Sequence, residues 1–393
     1  MRKQLKAILI IIPILIALGV SLTFVLPYFK KTSIPPTFKG LVYIYVDSSI
    51  YNGLSPEIQQ YETDVNNQGY NTRLINWTSS TVTTLKQNLT TAYSGGGLEG
   101  AVLIGDLPYA MARHWDSAWG KYWNYPCDLY LMDLDGQWSD TTIPNGIFDI
   151  DQNEHTNGTG DWTPEIWIAR ISPSSIGATG FNYTAAYKNY FDRNFKLRHG
   201  ITSRPHKSLL YIDDDWSSFK DEWLSNFTAY TGSEVDCYWN NPTTTAANYM
   251  NNISSVNYEF VHLLVHSWPT HHLFGPPYAL GSEGTLTYEN IYGNTTLPLF
   301  YNLFACFSCN YTQVNNTGTY YLFSDNTLTV IGSSRDGGMD LYQPFYDKLN
   351  QGAIIGEAFV TWFHNPEIVK WNKELLYYGM TILGDPLLTI YMT

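Results

Sequence analysis

Along this chain, apolar runs alternate with amphipathic segments at spacings that predict strands and helices in turn. Gly40–Asp47 (GLVYIYVD) is β-branched and aromatic, which predicts a buried strand. Leu54–Gln68 predicts a helix, with Pro56 in its first turn and Gly69 at its stop. Tyr70–Trp77 predicts a second strand, Ser80–Tyr93 a second helix, and Glu99–Asp106 a third strand. Gly40–Asp47 and Glu99–Asp106 are largely apolar along their length, as strands are when helices cover both faces of a parallel sheet.

From about Pro126 to Arg170 the pattern changes to shorter strands and acidic loops, ending in the strand Pro164–Ile171 and the helix Tyr183–Phe195. A second series begins near Pro205. Its predicted strands are Ser208–Asp213, Glu234–Trp239, Tyr258–His266, Leu299–Cys306 and Thr327–Ser333. Ser218–Tyr230 and Pro344–Phe363 read as helices, the latter broken near Gly352. The expected division is an N-terminal αβ subdomain with acidic loops at 39–200 and a second αβ subdomain at 201–393.

The N-terminus has a different character. Residues 1–6 carry Arg2, Lys3 and Lys6, and 7–26 form an apolar run of roughly 20 residues, enough to span a bilayer core. This predicts a transmembrane signal anchor with a cytoplasmic N-terminus, followed by the linker 27–38 and an extracellular remainder. A cleaved signal peptide is the alternative. Asn-x-Ser/Thr acceptors at Asn76, Asn88, Asn157, Asn182, Asn226, Asn252, Asn294, Asn310 and Asn315 agree with an outside location.

Composition narrows the function classes. With 22 basic and 35 acidic residues the formal charge is −13, and no basic stripe offsets it. A nucleic-acid partner is therefore not expected, because little would neutralise phosphates. The four cysteines, Cys127, Cys237, Cys306 and Cys309, are too few for a disulfide-built scaffold. Cys306 and Cys309 form a CxxC, whose alternative readings are a redox pair or half of a zinc site.

The candidate chemistry lies at strand ends, where open parallel sheets bind ligands. The run Glu259–His266 ends in His266, and Leu299–Ala305 leads into Cys306. If those strands are neighbours, His266 and Cys306 meet at one sheet edge. A thiol is mostly protonated at neutral pH, and a nearby imidazole can take its proton. The Ser267 and Cys306 amides are then placed to hold an oxyanion. A bare Cys or His on an apolar strand is, on its own, more often a core residue.

Phe260–Ser267 and Asn302–Cys309 resemble the histidine and cysteine stretches of gingipain-type cysteine peptidases, part of the caspase-like clan. Gly100–Pro108, Asp128–Gly136, Pro164–Ile171, Ile331–Gly338 and Leu383–Pro386 are similar too, in the expected order over most of residues 40–393. The resemblance implies a caspase-like three-layer αβα sandwich with two αβ subdomains side by side, and a cysteine endopeptidase acting on protein or peptide substrate. Cys306 is then the nucleophile, His266 its partner, and the Ser267 and Cys306 N–H groups the oxyanion donors. Ser267 stands where the family has Gly; if that turn needs positive φ, serine costs about 1 kcal/mol or more. Trp268, His271 and Asp214 are the expected substrate-contacting residues. The rival readings are a surface protein that keeps the fold for binding or adhesion, and a thiol–disulfide oxidoreductase using Cys306 and Cys309.

The resemblance implies no cofactor for catalysis but does imply calcium. Asp133, Asp135, Asp140, Asp149 and Asp151 form an acidic constellation of the kind that offers calcium its six to eight oxygens. Neither of its loops has full EF-hand spacing, and a solvated acidic loop is the alternative.

Overall fold

The structure is a computed structural model and describes residues 38–116, 120–141, 144–149, 155–156, 163–240, 242–370 and 377–390. The expected anchor at 7–26 lies outside the described residues. Among those described, no helix is long and apolar enough to cross a membrane.

Ten strands form one sheet: β1 (Gly40–Asp47), β2 (Tyr70–Trp77), β3 (Leu98–Ile104), β4 (Trp167–Ile171), β5 (Ser208–Ile212), β6 (Val235–Tyr238), β7 (Phe260–Leu264), β8 (Phe300–Phe304), β9 (Thr329–Ser333) and β10 (Met380–Gly384). Their order is β6-β5-β7-β8-β9-β10-β4-β3-β1-β2. Every pairing is parallel except β9 with β10, where Thr329 faces Gly384 and Ser333 faces Met380. The fold is thus mixed α/β around a large, mostly parallel sheet. Residues on both sides of position 200 build it, and β10 joins the two series by pairing with both β9 and β4.

All five residues of β4, β5, β7, β9 and β10 are buried. Alternate side chains point to opposite faces, so burial at every position means that both faces are covered. Each fully buried aliphatic or aromatic side chain here contributes about 1.5–3 kcal/mol. The helix Ile355–Phe363 sets Gly356 on the Trp167 ring, and a β-carbon there would lie 2.7 Å from it.

The C-terminal strand was not predicted as a strand. MTILG is short, and its strand character comes from being inserted between β9 and β4. The following Asp385 is buried, and accepts bonds from Tyr61 Oη at 2.8 Å, Asn194 Nδ2 at 2.6 Å and Arg198 Nη2 at 2.5 Å. The Leu-Gly-Asp-Pro stretch is therefore an anchor that ties the chain end to the helices Ser55–Asn67 and Tyr183–Arg198.

Because β5, β7, β8 and β9 run parallel, their carboxyl ends emerge at one edge. Into that edge come Asp213–Asp215, His266, Cys306 and Ser334–Gly338.

Candidate active site

The register between β7 and β8 places Phe260 beside Phe300 and Leu264 beside Phe304. One residue further on, the Val265 N–H donates to the Phe304 carbonyl at 3.1 Å. His266 and Cys306 thus leave adjacent strands at matching heights. The predicted strand end at His266 is corrected in detail. The ladder stops at Leu264, and His266–Trp268 pairs antiparallel with His271–Leu273 as a separate hairpin.

His266 Nε2 bonds Asp215 Oδ2. A carboxylate only accepts, so Nε2 carries the proton and Nδ1 is left as the basic ring nitrogen. The His266 side chain is 30% exposed and that of Asp215 only 10%. The imidazole can meet a substrate while its carboxylate partner stays shielded. Trp216 packs on the His266 ring with centroids 4.7 Å apart. In the sequence Asp215 is one of three consecutive aspartates at a strand's carboxyl end, placed to line a cleft or hold an ion but with nothing to pair it with His266. Its role depends on β5 lying next to β7, which no local pattern reveals.

Cys306 is partly buried, and burial raises its thiol above the ordinary value while the Gly337 N–H acts against that rise. That N–H donates to Cys306 Sγ at 3.3 Å, from a glycine at φ 107° that other residues rarely adopt. The loop bearing Gly337 is held by Arg335. This buried guanidinium bonds Asp336 Oδ1 at 2.6 Å and His114 Nε2 at 2.7 Å, and lies over the Tyr125 ring at 5.1 Å. In the sequence Ile331–Gly338 is similar to a family stretch, with nothing local to assign it a role. The one available signal was its position directly after a buried strand.

Ser267 does not have the conformation that would strain it. Outside glycine, positive φ occurs at Phe307, Asn315 and Leu341 among the described residues. Ser267 lies in the hairpin opposite His272, its Oγ donating within it and receiving His272 Nδ1 at 3.0 Å. The strained position is instead Phe307, directly after the cysteine. The Cys306 N–H has no backbone acceptor among the described residues, whereas Phe307 N–H donates to Arg335 O at 2.7 Å.

Cys309 is buried, its thiol pushed up to about 12 by that burial. Gly318 and Gly332 press on it so closely that a β-carbon at either would lie 2.7 Å from its sulfur. All four cysteines are free thiols. His272 is likewise buried, and burial lowers it to about 3. His271 bonds Thr270 Oγ1 through Nδ1 at 3.0 Å, in register with Trp268. Trp268 stacks on Phe307. Asp214 accepts from Thr244 Oγ1 at 2.8 Å.

The expected metal residues are not gathered in one place. Asp133 and Asp135 come together with Glu165, their carboxylate oxygens within 4.8 Å of one another. Asp133 accepts from Gly136 N–H at 2.7 Å and Trp138 Nε1 at 3.1 Å, and its carbonyl from Lys86 Nζ at 2.7 Å. Asp140 caps the turn at Asn145 and Gly146. Asp149 pairs with Arg113 at 3.0 Å, and Asp151 lies outside the described residues. A second group joins Asp213 and Asp214, two of the three consecutive aspartates whose strand-end position in the sequence suits lining the cleft or holding an ion, with Glu283, which sequence pattern does not connect to them.

No protein-family model matches the chain, and no curated protein does. Solved structures do. The complex of the pro- and mature domains of Porphyromonas gingivalis RgpB matches with a TM-score of 0.62 at 16% identity, covering 89% of this chain and 80% of that one. The Arg-specific cysteine proteinase gingipain R (RgpB) matches at 0.61 and 15%, covering 89% and 78%. A further protease structure matches at 0.62 and 15%, covering 90% and 79%. The ten-stranded sheet, with Cys306 and His266 leaving neighbouring strands, is therefore built on the caspase-like α/β fold of the gingipain R cysteine proteinases.

Proposed function

We propose that this protein is a cysteine endopeptidase working through Cys306 and His266, anchored by its N-terminal segment with the folded part extracellular. One observation carries the reading. On the fold of a cysteine proteinase, a cysteine and a carboxylate-bound histidine emerge from adjacent, in-register strands. The buried thiol rests in its neutral form, so attack needs a base. His266 Nδ1 takes the Cys306 proton as Sγ bonds to the scissile carbonyl carbon. The resulting imidazolium is stabilised by Asp215 and returns the proton to the leaving amine. The Cys306 and Ser267 N–H groups are the donors for the oxyanion in this reading. Water then hydrolyses the acyl-enzyme and restores the thiol.

The oxidoreductase alternative is disfavoured by Cys309, whose buried sulfur, wedged between two glycines, is not placed to exchange. The binding-protein alternative is separated by reactivity. Labelling the full chain with acyl-ketone peptide probes and locating the adduct by mass spectrometry tests this. Adduct on Cys306 that needs His266 supports the peptidase, and a folded but unlabelled Cys306 across a broad probe library sinks it.

A structural calcium is part of the same reading, at Asp133, Asp135 and Glu165. These three carboxylates suit a hard cation, and burial together with the two aspartates lifts Glu165 to about 7. Glycan attachment is confined to exposed acceptors such as Asn76, Asn88, Asn182 and Asn294, since Asn252 and Asn310 are buried.

A further inference from the structure

Beyond Leu264 and Phe304 the two strands no longer pair, because His266 turns away into its hairpin and Cys306 into a tight turn. The sheet alone therefore does not fix the distance between imidazole and thiol. Something past the ladder has to, since misplacing reacting groups by about 1 Å can cost a hundred-fold in rate.

Three aromatic rings stand where this restraint is needed. Trp268 follows His266 by two residues and Phe307 follows Cys306 by one. Their rings are nearly parallel, 5.8 Å between centroids and 6° between planes. Trp123, from the separate strand Lys121–Pro126, meets both, at 6.0 Å from Trp268 and 5.4 Å from Phe307. Trp123 is itself fixed, with Lys121 Nζ 3.6 Å above its ring and its Nε1 donating to Asp116 at 3.2 Å. Phe307 reaches the cluster from φ 60°, a conformation bulky residues rarely take. The turn is held in it by Phe307 N–H to Arg335 O at 2.7 Å and Cys309 N–H to Ser333 O at 2.9 Å.

We propose that Trp268, Phe307 and Trp123 form a positioning clip that ties the hairpin carrying His266 to the turn carrying Cys306 and so sets the separation of the two. The proposal rests on the dyad reading of the site. None of the three rings is a catalytic residue; each acts through the backbone of its neighbour. Stacked aromatic rings suit this role, because they bury a large area with little side-chain freedom to lose.

The test uses iodoacetamide, in which the Cys306 thiolate displaces iodide to form a thioether. The rate of Cys306 modification is followed against pH by peptide mass spectrometry on the full chain, with thermal melting as a check on folding. Wild type, His266→Ala, Trp268→Leu, Trp268→Phe and Phe307→Gly are compared. Asp215, Arg335 and Asp336, the charged groups around the pair, are unaltered in all of them. Trp268→Leu is expected to slow modification near neutral pH by about ten-fold or more and to move the pH midpoint onto that of His266→Ala. Trp268→Phe is expected to recover most of the wild-type profile. Phe307→Gly keeps a residue suited to φ 60° while deleting the ring, so it decides the matter if Trp268→Leu fails to fold. It is expected to behave like Trp268→Leu. Wild-type profiles in folded Trp268→Leu and Phe307→Gly, with His266→Ala altered, overturn the clip alone. An unaltered profile in His266→Ala overturns the dyad and the clip together.

Discussion

The Nε2 of His266 donates to the Oδ2 of Asp215, a carboxylate delivered from the end of a different strand. This bond settles which ring nitrogen is basic and fixes the plane of the imidazole. Asp215→Asn can present its amide N–H to Nε2, favouring the wrong tautomer. It should reduce probe acylation of Cys306 by about a hundred-fold, with little change in thermal stability. Labelling kinetics check this, and a loss of only two- to three-fold would remove Asp215 from the mechanism.

The two cysteines of the CxxC should separate cleanly. Cys306→Ala should abolish labelling. Cys309→Ala should keep it, and lose about 1 kcal/mol of stability for the sulfur removed from between Gly318 and Gly332. Abolished function in Cys309→Ala, in a folded protein, would instead favour dithiol chemistry.

Calcium should raise the melting temperature by a few degrees at saturating concentration, and a chelator should reverse it. Glu165→Gln should remove the response, because it deletes one of three carboxylates that lie within 4.8 Å of one another. Lys86 Nζ already sits on the Asp133 carbonyl and is the cation that calcium must compete with. An identical response to calcium in Glu165→Gln would place the ion elsewhere.

Glu259 gives stability a defined pH dependence. Burial raises its carboxyl from 4.5 to about 7, against the bonds from Tyr230 Oη and His206 Nδ1, each at 2.7 Å. Between those two values the folded protein holds a proton that the unfolded chain releases. This contribution is therefore full below about pH 4.5 and is lost as pH rises through about 7. Glu259→Gln should flatten the fall in melting temperature over that window. Melts at closely spaced pH values check it, and an unchanged slope would assign the dependence to another group.

Removing one side of the buried Arg198–Asp385 pair should be severe. Asp385→Ala strands a guanidinium that is 2.5 Å from its partner and also frees Tyr61 and Asn194. A loss of about 3–5 kcal/mol is expected, measured by denaturant unfolding. A loss below about 1 kcal/mol would show that the pair is solvated on removal.

Much of this protein is legible in its amino-acid sequence. Apolar runs such as Gly40–Asp47, Phe260–Leu264 and Leu299–Ala305 determine strands because burial on both faces demands continuous hydrophobicity, a property of the local sequence. His266 and Cys306 could be picked out because each sits where such a run stops. Tertiary structure alone decided the rest. Asp215 becomes the partner of His266 only because β5 pairs with β7. Arg335 and Gly337 reach Cys306 only because β9 lies beside β8, and MTILG is a strand only because it fills the gap between β9 and β4. The acidic residues divide in the same way, with Asp149 taken by Arg113 and Glu165 brought to Asp133 from across the fold. Hydrophobic periodicity acts over a few residues and is written in order along the chain. A site made of side chains from separate strand ends depends on strand order, and that is set by the packing of the whole sheet.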